Sequence, residues 1–84
     1  MSYNRLRWAS RRGMLELDLM LMPFVEQVYP SLAPREQELY ARLLECEDQD
    51  LFAWLLRREL PGEDWQQEIV NLIRKAVSEL PRPL

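Results

Sequence analysis

Apolar residues near the C-terminal end of the chain recur with the period of an α-helix. Counted from Trp65, they stand at offsets of 4, 7, 8, 11, 12 and 15, the last being Leu80, and this spacing places them on one helical face. Asp64, with Gln67 three residues later, resembles a capping box that marks the start of the helix, and two prolines follow its end. A helix with one apolar face must bury that face, so the rest of the chain has to supply packing partners.

Four further helices are predicted upstream, and no strand-like alternation of apolar and polar residues is present. We expect these helices at about residues 3–11, 14–29, 34–46 and 49–59. Gly13 is expected to end the first of them as the residue directly after its C-terminus, and Asp48 is the predicted N-cap of the fourth. The sequence therefore predicts an all-α fold, a small five-helix bundle with short connecting loops.

The second predicted helix is apolar on every side from Leu19 to Val25, so we place it at the centre of the bundle. If so small a bundle leaves one face of this helix uncovered, the exposed apolar patch marks a site for another protein. The methionines of this helix fit either arrangement, because methionine fills gaps in cores and also lines adaptable binding surfaces. We assign Trp54 and Trp65 to the core.

The length of 84 residues is that of one domain, residues 1–84, in which we expect 81–84 to form a flexible tail. The longest uncharged stretch of the second helix has only seven residues, which is too short for a membrane span or a signal-peptide core. We therefore expect a cytoplasmic protein that does not insert into membranes and is monomeric when free.

Histidine is absent, and Cys46 is the single cysteine. The chain therefore lacks the most common general base and the most common zinc ligand. We therefore expect no metal site, and a standalone enzyme of this composition would have to work with carboxylates alone.

Charge is unevenly distributed along the chain. Residues 1–12 contain four arginines and no acidic residue, so the remaining residues carry a net charge of −7 within the total of −3. An acidic body argues against nucleic-acid binding, although the basic N-terminal arm needs another explanation.

The junction between the first two predicted helices has the sequence Arg11-Arg12-Gly13-Met14-Leu15-Glu16-Leu17-Asp18. One interpretation is local: Arg12 and Glu16, four residues apart, form an exposed ion pair that contributes roughly 0.3–0.5 kcal/mol. The other is a binding site, because an arginine and a carboxylate beside a glycine can make charge-assisted hydrogen bonds to a closely approaching partner.

The same junction resembles the bacterial members of the succinate dehydrogenase assembly factor family, which promotes covalent flavin attachment. The family hallmark Arg-Gly-x-x-Glu is present as Arg12-Gly13-Met14-Leu15-Glu16. Three longer segments also agree with the family in order and spacing: Trp8 to Asp18, Met22 to Phe24, and Leu43 to Leu55.

This resemblance implies a five-helix bundle that acts as a chaperone and not as an enzyme. Such a protein docks on the flavoprotein subunit of succinate dehydrogenase, or of the related fumarate reductase. It favours the conformation in which a histidine of that subunit becomes covalently bonded to FAD. The FAD belongs to the partner, and since this chain has no Gly-rich phosphate loop, we expect it to bind none stably itself.

By the same resemblance, Arg12, Gly13 and Glu16 bind the partner, with Arg11 and Asp18 as neighbours in the docking surface. We expect the motif side chains to be largely exposed and dispensable for folding. An alternative from a different class is an antitoxin-type or regulatory module, because small acidic helical proteins with a basic arm also serve as binders of larger proteins.

Overall fold

The structure, a computed structural model, describes residues 2–81. Within this range the chain forms five α-helices and one short 3-10 helix, and no strand. The α-helices are α1 (Tyr3–Ser10), α2 (Leu15–Gln27), α3 (Pro34–Leu43), α4 (Asp48–Leu55) and α5 (Asp64–Glu79), and the 3-10 helix is Tyr29–Ser31. The predicted all-α, five-helix fold is confirmed. The predicted tail at 81–84 lies outside the described residues except for Pro81.

Four predicted helices are too long at their C-terminal ends, the first of them by a single residue. Helix α2 ends at Gln27, and the chain tightens into the 3-10 helix where Pro30 has no amide hydrogen to donate. Helix α3 ends at Leu43, because the next two turns close through hydrogen bonds to carbonyls three residues back, at 3.1 and 3.0 Å. Helix α4 ends at Leu55, and Arg58 then has φ 59°, a left-handed conformation that an α-helix does not continue through.

Two predicted caps are each displaced by one residue. Glu47 has extended backbone angles, φ −73° and ψ 151°, so α4 begins with Asp48 and does not use it as the cap. Glu63 likewise precedes α5, and its amide N–H donates to Gln66 Oε1 at 3.2 Å. The cap predicted at Asp64 was therefore wrong by one position.

The core lies where α2 meets the other helices. Helix α2 contacts α1, α4 and α5, which confirms its central place. It is not buried on all sides, however: Leu15 and Leu19 are 74% and 63% exposed. The buried apolar residues are Leu6, Leu17, Leu21, Phe24, Val25, Leu39, Tyr40, Leu43, Leu44, Leu51, Leu55, Ile69, Val70 and Ile73.

The tryptophans lie at the margin of this core. Trp54 and Trp65, which we had assigned to the core, are only half-buried and pack against its edge. The Arg42 guanidinium carbon lies 4.2 Å from the ring centroid of Trp65 and forms a cation–π contact with it. Trp8 is fully outside the core and exposed.

A buried polar contact fixes the C-terminal end of α1 against α3. The Ser10 hydroxyl donates to Leu6 O at 2.9 Å and lies 2.7 Å from the Tyr40 hydroxyl. Because the single Ser10 hydroxyl hydrogen is directed to Leu6 O, Tyr40 is the donor in the second contact. The residues that follow Ser10 therefore leave α1 from a fixed position.

Candidate functional site

Arg12 connects two loops that are distant in the sequence. Its Nε donates to Asp48 Oδ1 at 2.6 Å, and its Nη1 donates to Ala9 O and Leu44 O, both at 2.9 Å. Its Nη2 donates to Cys46 O, also at 2.9 Å. The guanidinium thus caps carbonyls at the ends of α1 and α3 while pairing with the first residue of α4. A cation there also interacts favourably with the negative ends of both helix dipoles.

This arrangement corrects two expectations about Arg12. Its ion-pair partner is Asp48 and not Glu16, so the local pair at a spacing of four residues does not form. Its side chain is only 16% exposed, so the motif side chains are not all at the surface. Sequence reasoning missed Asp48, because nothing local links two residues separated by 36 positions.

Asp18 holds the backbone of the same loop. Its Oδ1 accepts from the Arg12 amide N–H at 2.7 Å and its Oδ2 from the Gly13 amide N–H at 3.2 Å. The helix that Asp18 belongs to has no side-chain cap at Met14, so this carboxylate, one turn into α2, instead orders the segment that enters it. Both backbone and side chain of Arg12 are therefore fixed.

Gly13 adopts φ +82°, a left-handed conformation that strains residues with a side chain. A Cβ atom built at this position would meet no other atom within 4 Å, so space inside the domain is not what requires glycine. The residue is not the one directly after α1, as predicted, because Ser10 ends that helix and Arg11 and Arg12 intervene. The left-handed backbone conformation that we predicted for Gly13 is nevertheless present.

The remaining predicted site residues face solvent. Arg11, Gly13 and Glu16 are exposed, and among residues 2–81 Glu16 forms no ion pair. The five predicted residues therefore lie together at the α1–α2 junction but divide into two kinds. Arg12 and Asp18 hold the loop, whereas the other three are available at the surface.

Large apolar side chains surround these exposed groups. Leu15 and Leu19 lie four residues apart on α2, on the same side of the helix, and Trp8 lies on α1. We call Trp8, Arg11, Gly13, Leu15, Glu16 and Leu19 the motif surface. The exposure of the two leucines was not predicted individually, since four-residue spacing of leucines is also what a buried helical face shows.

Three grooves border the motif surface, and the largest of them, of ≈ 710 Å³, lies between Leu19 on α2 and the C-terminal end of α5. The other two both reach Arg11. The smaller, of ≈ 90 Å³, lies beside Trp8 and Arg11 and reaches Met22. The larger, of ≈ 460 Å³, extends from Arg11 along α2 and is lined by Arg11, Asp18, Leu19, Met22, Pro23, Glu26 and Gln27. Apolar surface rimmed by charge is typical of sites where one protein binds another.

In the part of the chain that the structure describes, no three His, Cys, Asp or Glu residues are grouped so as to hold a metal. Cys46 contacts Arg12 only through its carbonyl oxygen. Burial raises the pKa of its thiol, assisted by the charge of Asp50.

No helix between residues 2 and 81 is long and apolar enough to cross a membrane.

Comparison with known proteins gives consistent matches. A family model described as "Flavinator of succinate dehydrogenase" matches residues 4–77. A protein named FAD assembly factor SdhE from Pseudomonas putida is 53% identical over 70 residues, which are 83% of either chain. One of the same name from Shewanella oneidensis is 53% identical over 77 residues, 90% of this chain and 94% of its own. Another, from Yersinia pestis, is 47% identical over 70 residues, 83% of this chain and 80% of its own.

Proposed function

The chain belongs to the family described as flavinator of succinate dehydrogenase, and from this membership we propose that it is an assembly factor for that enzyme. It binds the flavoprotein subunit of succinate dehydrogenase and promotes the covalent attachment of FAD to that subunit. It is not itself an enzyme, because the groups between which the bond forms belong to the flavoprotein and to the flavin.

Since the reacting groups belong to the flavoprotein and the flavin, we propose that the factor promotes this reaction by binding. Acceleration requires that it bind the reactive arrangement of the flavoprotein more tightly than the unreactive ones. Each tenfold preference corresponds to about 1.4 kcal/mol of differential binding free energy. The factor therefore needs a surface of defined shape and charge, and it needs no reactive side chain.

The motif surface is the observation that carries this proposal. It combines an exposed tryptophan, two exposed leucines and an exposed arginine and glutamate. Aromatic residues and arginine are enriched among the residues that dominate binding energy at protein interfaces. We place the contact with the flavoprotein here, with Arg11, Gly13 and Glu16 touching the partner. Arg12 and Asp18 hold the loop that contains Arg11 and Gly13 and leads into the first turn of α2, where Glu16 lies.

We extend the proposal to four further points. FAD stays with the flavoprotein and is not bound stably by the factor. The flavoprotein subunit of fumarate reductase is a second client. The free factor is a monomer and works in the cytoplasm.

A reconstitution assay tests the function. Purified flavoprotein subunit is incubated with FAD in the presence and absence of the factor, and covalent flavin is read as fluorescence on a denaturing gel. We expect the factor to increase the rate of attachment. An unchanged rate, or binding of the factor that blocks attachment, would contradict the proposal and favour a regulatory or antitoxin-type role.

Two leucines of equal exposure test the site within the same assay. Leu15, on the motif surface, is 74% exposed, and Leu60, in the loop between α4 and α5, is 76% exposed. Leu15→Ser should raise the half-saturating concentration of factor about tenfold, as expected for a residue that contributes 1–2 kcal/mol at an interface. Leu60→Ser should leave it unchanged. Equal effects of the two changes would place the contact elsewhere.

A further inference from the structure

We propose that Asp48, which lies outside the motif, is a positioning residue for partner binding and acts through Arg12. This inference rests on the proposed function and deepens it. Asp48 holds the Arg12 guanidinium, Arg12 holds the loop between α1 and α2, and that loop and the first turn of α2 present Gly13 and Glu16 to the flavoprotein.

The first step is a count of the donors of Arg12. A guanidinium has five N–H groups. Four of them are used within the domain, one to Asp48 and three to backbone carbonyls. The single N–H group that remains cannot form the two parallel hydrogen bonds with which arginine usually recognises a carboxylate or a phosphate. Arg12 is therefore unsuited to be a principal contact with the partner.

The second step is the place of Asp48 in the fold. It is the first residue of α4, where a negative charge is stabilised by the positive end of the helix dipole. The carbonyls that Arg12 caps belong to the ends of α1 and α3. Arg12 and Asp48 thus join three helix termini at one point.

The third step leads from Arg12 to the exposed groups. The Arg12 and Gly13 amides are held by the Asp18 carboxylate, and Glu16 lies between Gly13 and Asp18 in the chain. The side chain of Arg12 attaches this segment to the α3–α4 loop through hydrogen bonds to the Leu44 and Cys46 carbonyls. When Asp48 is removed, the guanidinium loses its anionic partner, and only hydrogen bonds to the Ala9, Leu44 and Cys46 carbonyls still orient it.

The chain contains a matched control for Asp48. Glu68 on α5 pairs with Arg35 on α3, and its carboxylate accepts from Arg35 Nη2 at 2.9 Å as well as from Nη1. The Asp48 and Glu68 side chains are 44% and 43% exposed, so the two carboxylates are equally accessible to solvent. The Arg35–Glu68 pair connects α3 with α5 and includes no residue of the motif surface.

The experiment compares Asp48→Ala with Glu68→Ala in the flavin attachment assay, after circular dichroism has shown each variant to be folded. For Asp48→Ala we expect the half-saturating concentration of factor to rise about tenfold. This is less than the roughly 100-fold that a 1 Å misplacement of a positioned group can cost. The rate at saturating factor should remain within about twofold of the parent rate, because the contact groups are still present. Glu68→Ala should change neither quantity.

Amide hydrogen exchange gives a second readout that does not depend on the partner. In Asp48→Ala the amides of Arg12 and Gly13 should exchange faster, while amides in the middle of α2 and α5 keep their protection. Faster exchange throughout the domain would show a general loss of stability and would overturn the positioning role. Unchanged exchange at Arg12 and Gly13 would overturn it as well.

A conservative pair of variants completes the test. Asp48→Asn retains an acceptor oxygen in the same place and should show a smaller effect than Asp48→Ala. Arg12→Lys keeps the charge but cannot make four directed hydrogen bonds, so it should behave like Asp48→Ala. If both Asp48 variants bind the flavoprotein as the parent does, or if neither of them folds, Asp48 is not a positioning residue. If the parent chain fails to promote attachment, the proposed function fails, whereas hydrogen exchange still decides whether Asp48 orders the loop.

Discussion

Replacing Arg12 by alanine should strongly destabilise the domain, whereas the same change at the adjacent Arg11 should not. The two arginines are neighbours in the same loop and carry the same charge, but they differ in their contacts. Arg12 makes four side-chain hydrogen bonds and is 16% exposed. Arg11 is exposed and borders the open groove along α2.

The magnitude follows from what each truncation leaves behind. A hydrogen bond involving a charged group contributes about 1.5–3 kcal/mol when buried, and breaking a fully buried pair costs about 3–5 kcal/mol. Asp48 is 44% exposed and can regain water, as can the carbonyls in the loops, so the full values do not apply. We therefore expect Arg12→Ala to reduce the free energy of unfolding by about 2–4 kcal/mol. Arg11→Ala should stay within about 0.5 kcal/mol of the parent.

Urea unfolding followed by circular dichroism measures both variants under one set of conditions. A domain of 84 residues has a total stability of roughly 4–13 kcal/mol, so the loss at Arg12 is a large part of it. Thermal unfolding should show a decrease in Tm of about 10–25 °C for Arg12→Ala. Equal urea midpoints for the two variants would refute the claim that Arg12 joins the α1–α2 and α3–α4 loops.

Three further outcomes can be measured by the same unfolding experiments. Ile69→Ala should cost about 2–5 kcal/mol because the side chain is fully buried, and half-buried Leu72 should cost less; a loss below about 0.5 kcal/mol at Ile69 would mean that α5 is not packed as described. Gly13→Ala should cost about 1–2 kcal/mol because of its φ of +82°, and Gly13→Asn should recover part of this, so equal losses for the two would contradict a conformational cause. Burial raises the pKa of Tyr40 above its usual value near 10, so above about pH 10 the folded state retains a proton that the unfolded state releases. The free energy of unfolding should therefore be unaffected by Tyr40 below about pH 10 and should fall above it. Tyr40→Phe should lack this fall, whereas Tyr29→Phe should keep it.

The helices could be predicted from the sequence because their signals are local. Each apolar residue from Trp65 to Leu80 lies within about one helical turn of the next, so the pattern can be recognised without knowledge of the rest of the fold. As the pattern predicts, α5 contributes Ile69 and Ile73 to the core. The helix ends were less predictable, since they depend on backbone geometry. Glu47 and Glu63 take the extended cap conformation although the neighbouring aspartates are better cap residues.

The candidate site was located correctly in the chain, but the contacts within it could not be predicted. The partners of Arg12 lie up to 36 residues away and include three backbone carbonyls. Every residue has a backbone carbonyl, so the sequence does not indicate which of them Arg12 binds. The exposure of Leu15 and Leu19 could not be predicted either, because leucines four residues apart occur both in cores and on surfaces. Only the packing of α1, α4 and α5 around α2 determines which face remains open.

The division of the motif changes how its mutations have to be interpreted. Loss of flavin attachment in a variant of Arg12 follows from the geometry without any contact between Arg12 and the flavoprotein, because the domain loses stability and the loop loses its orientation. Loss in a variant of exposed Glu16 has no such explanation, since among the described residues no ion pair of the fold involves it. Attachment activity alone therefore ranks the two residues together, whereas activity per folded molecule, measured at several factor concentrations, separates the residue that builds the surface from the residue that binds through it.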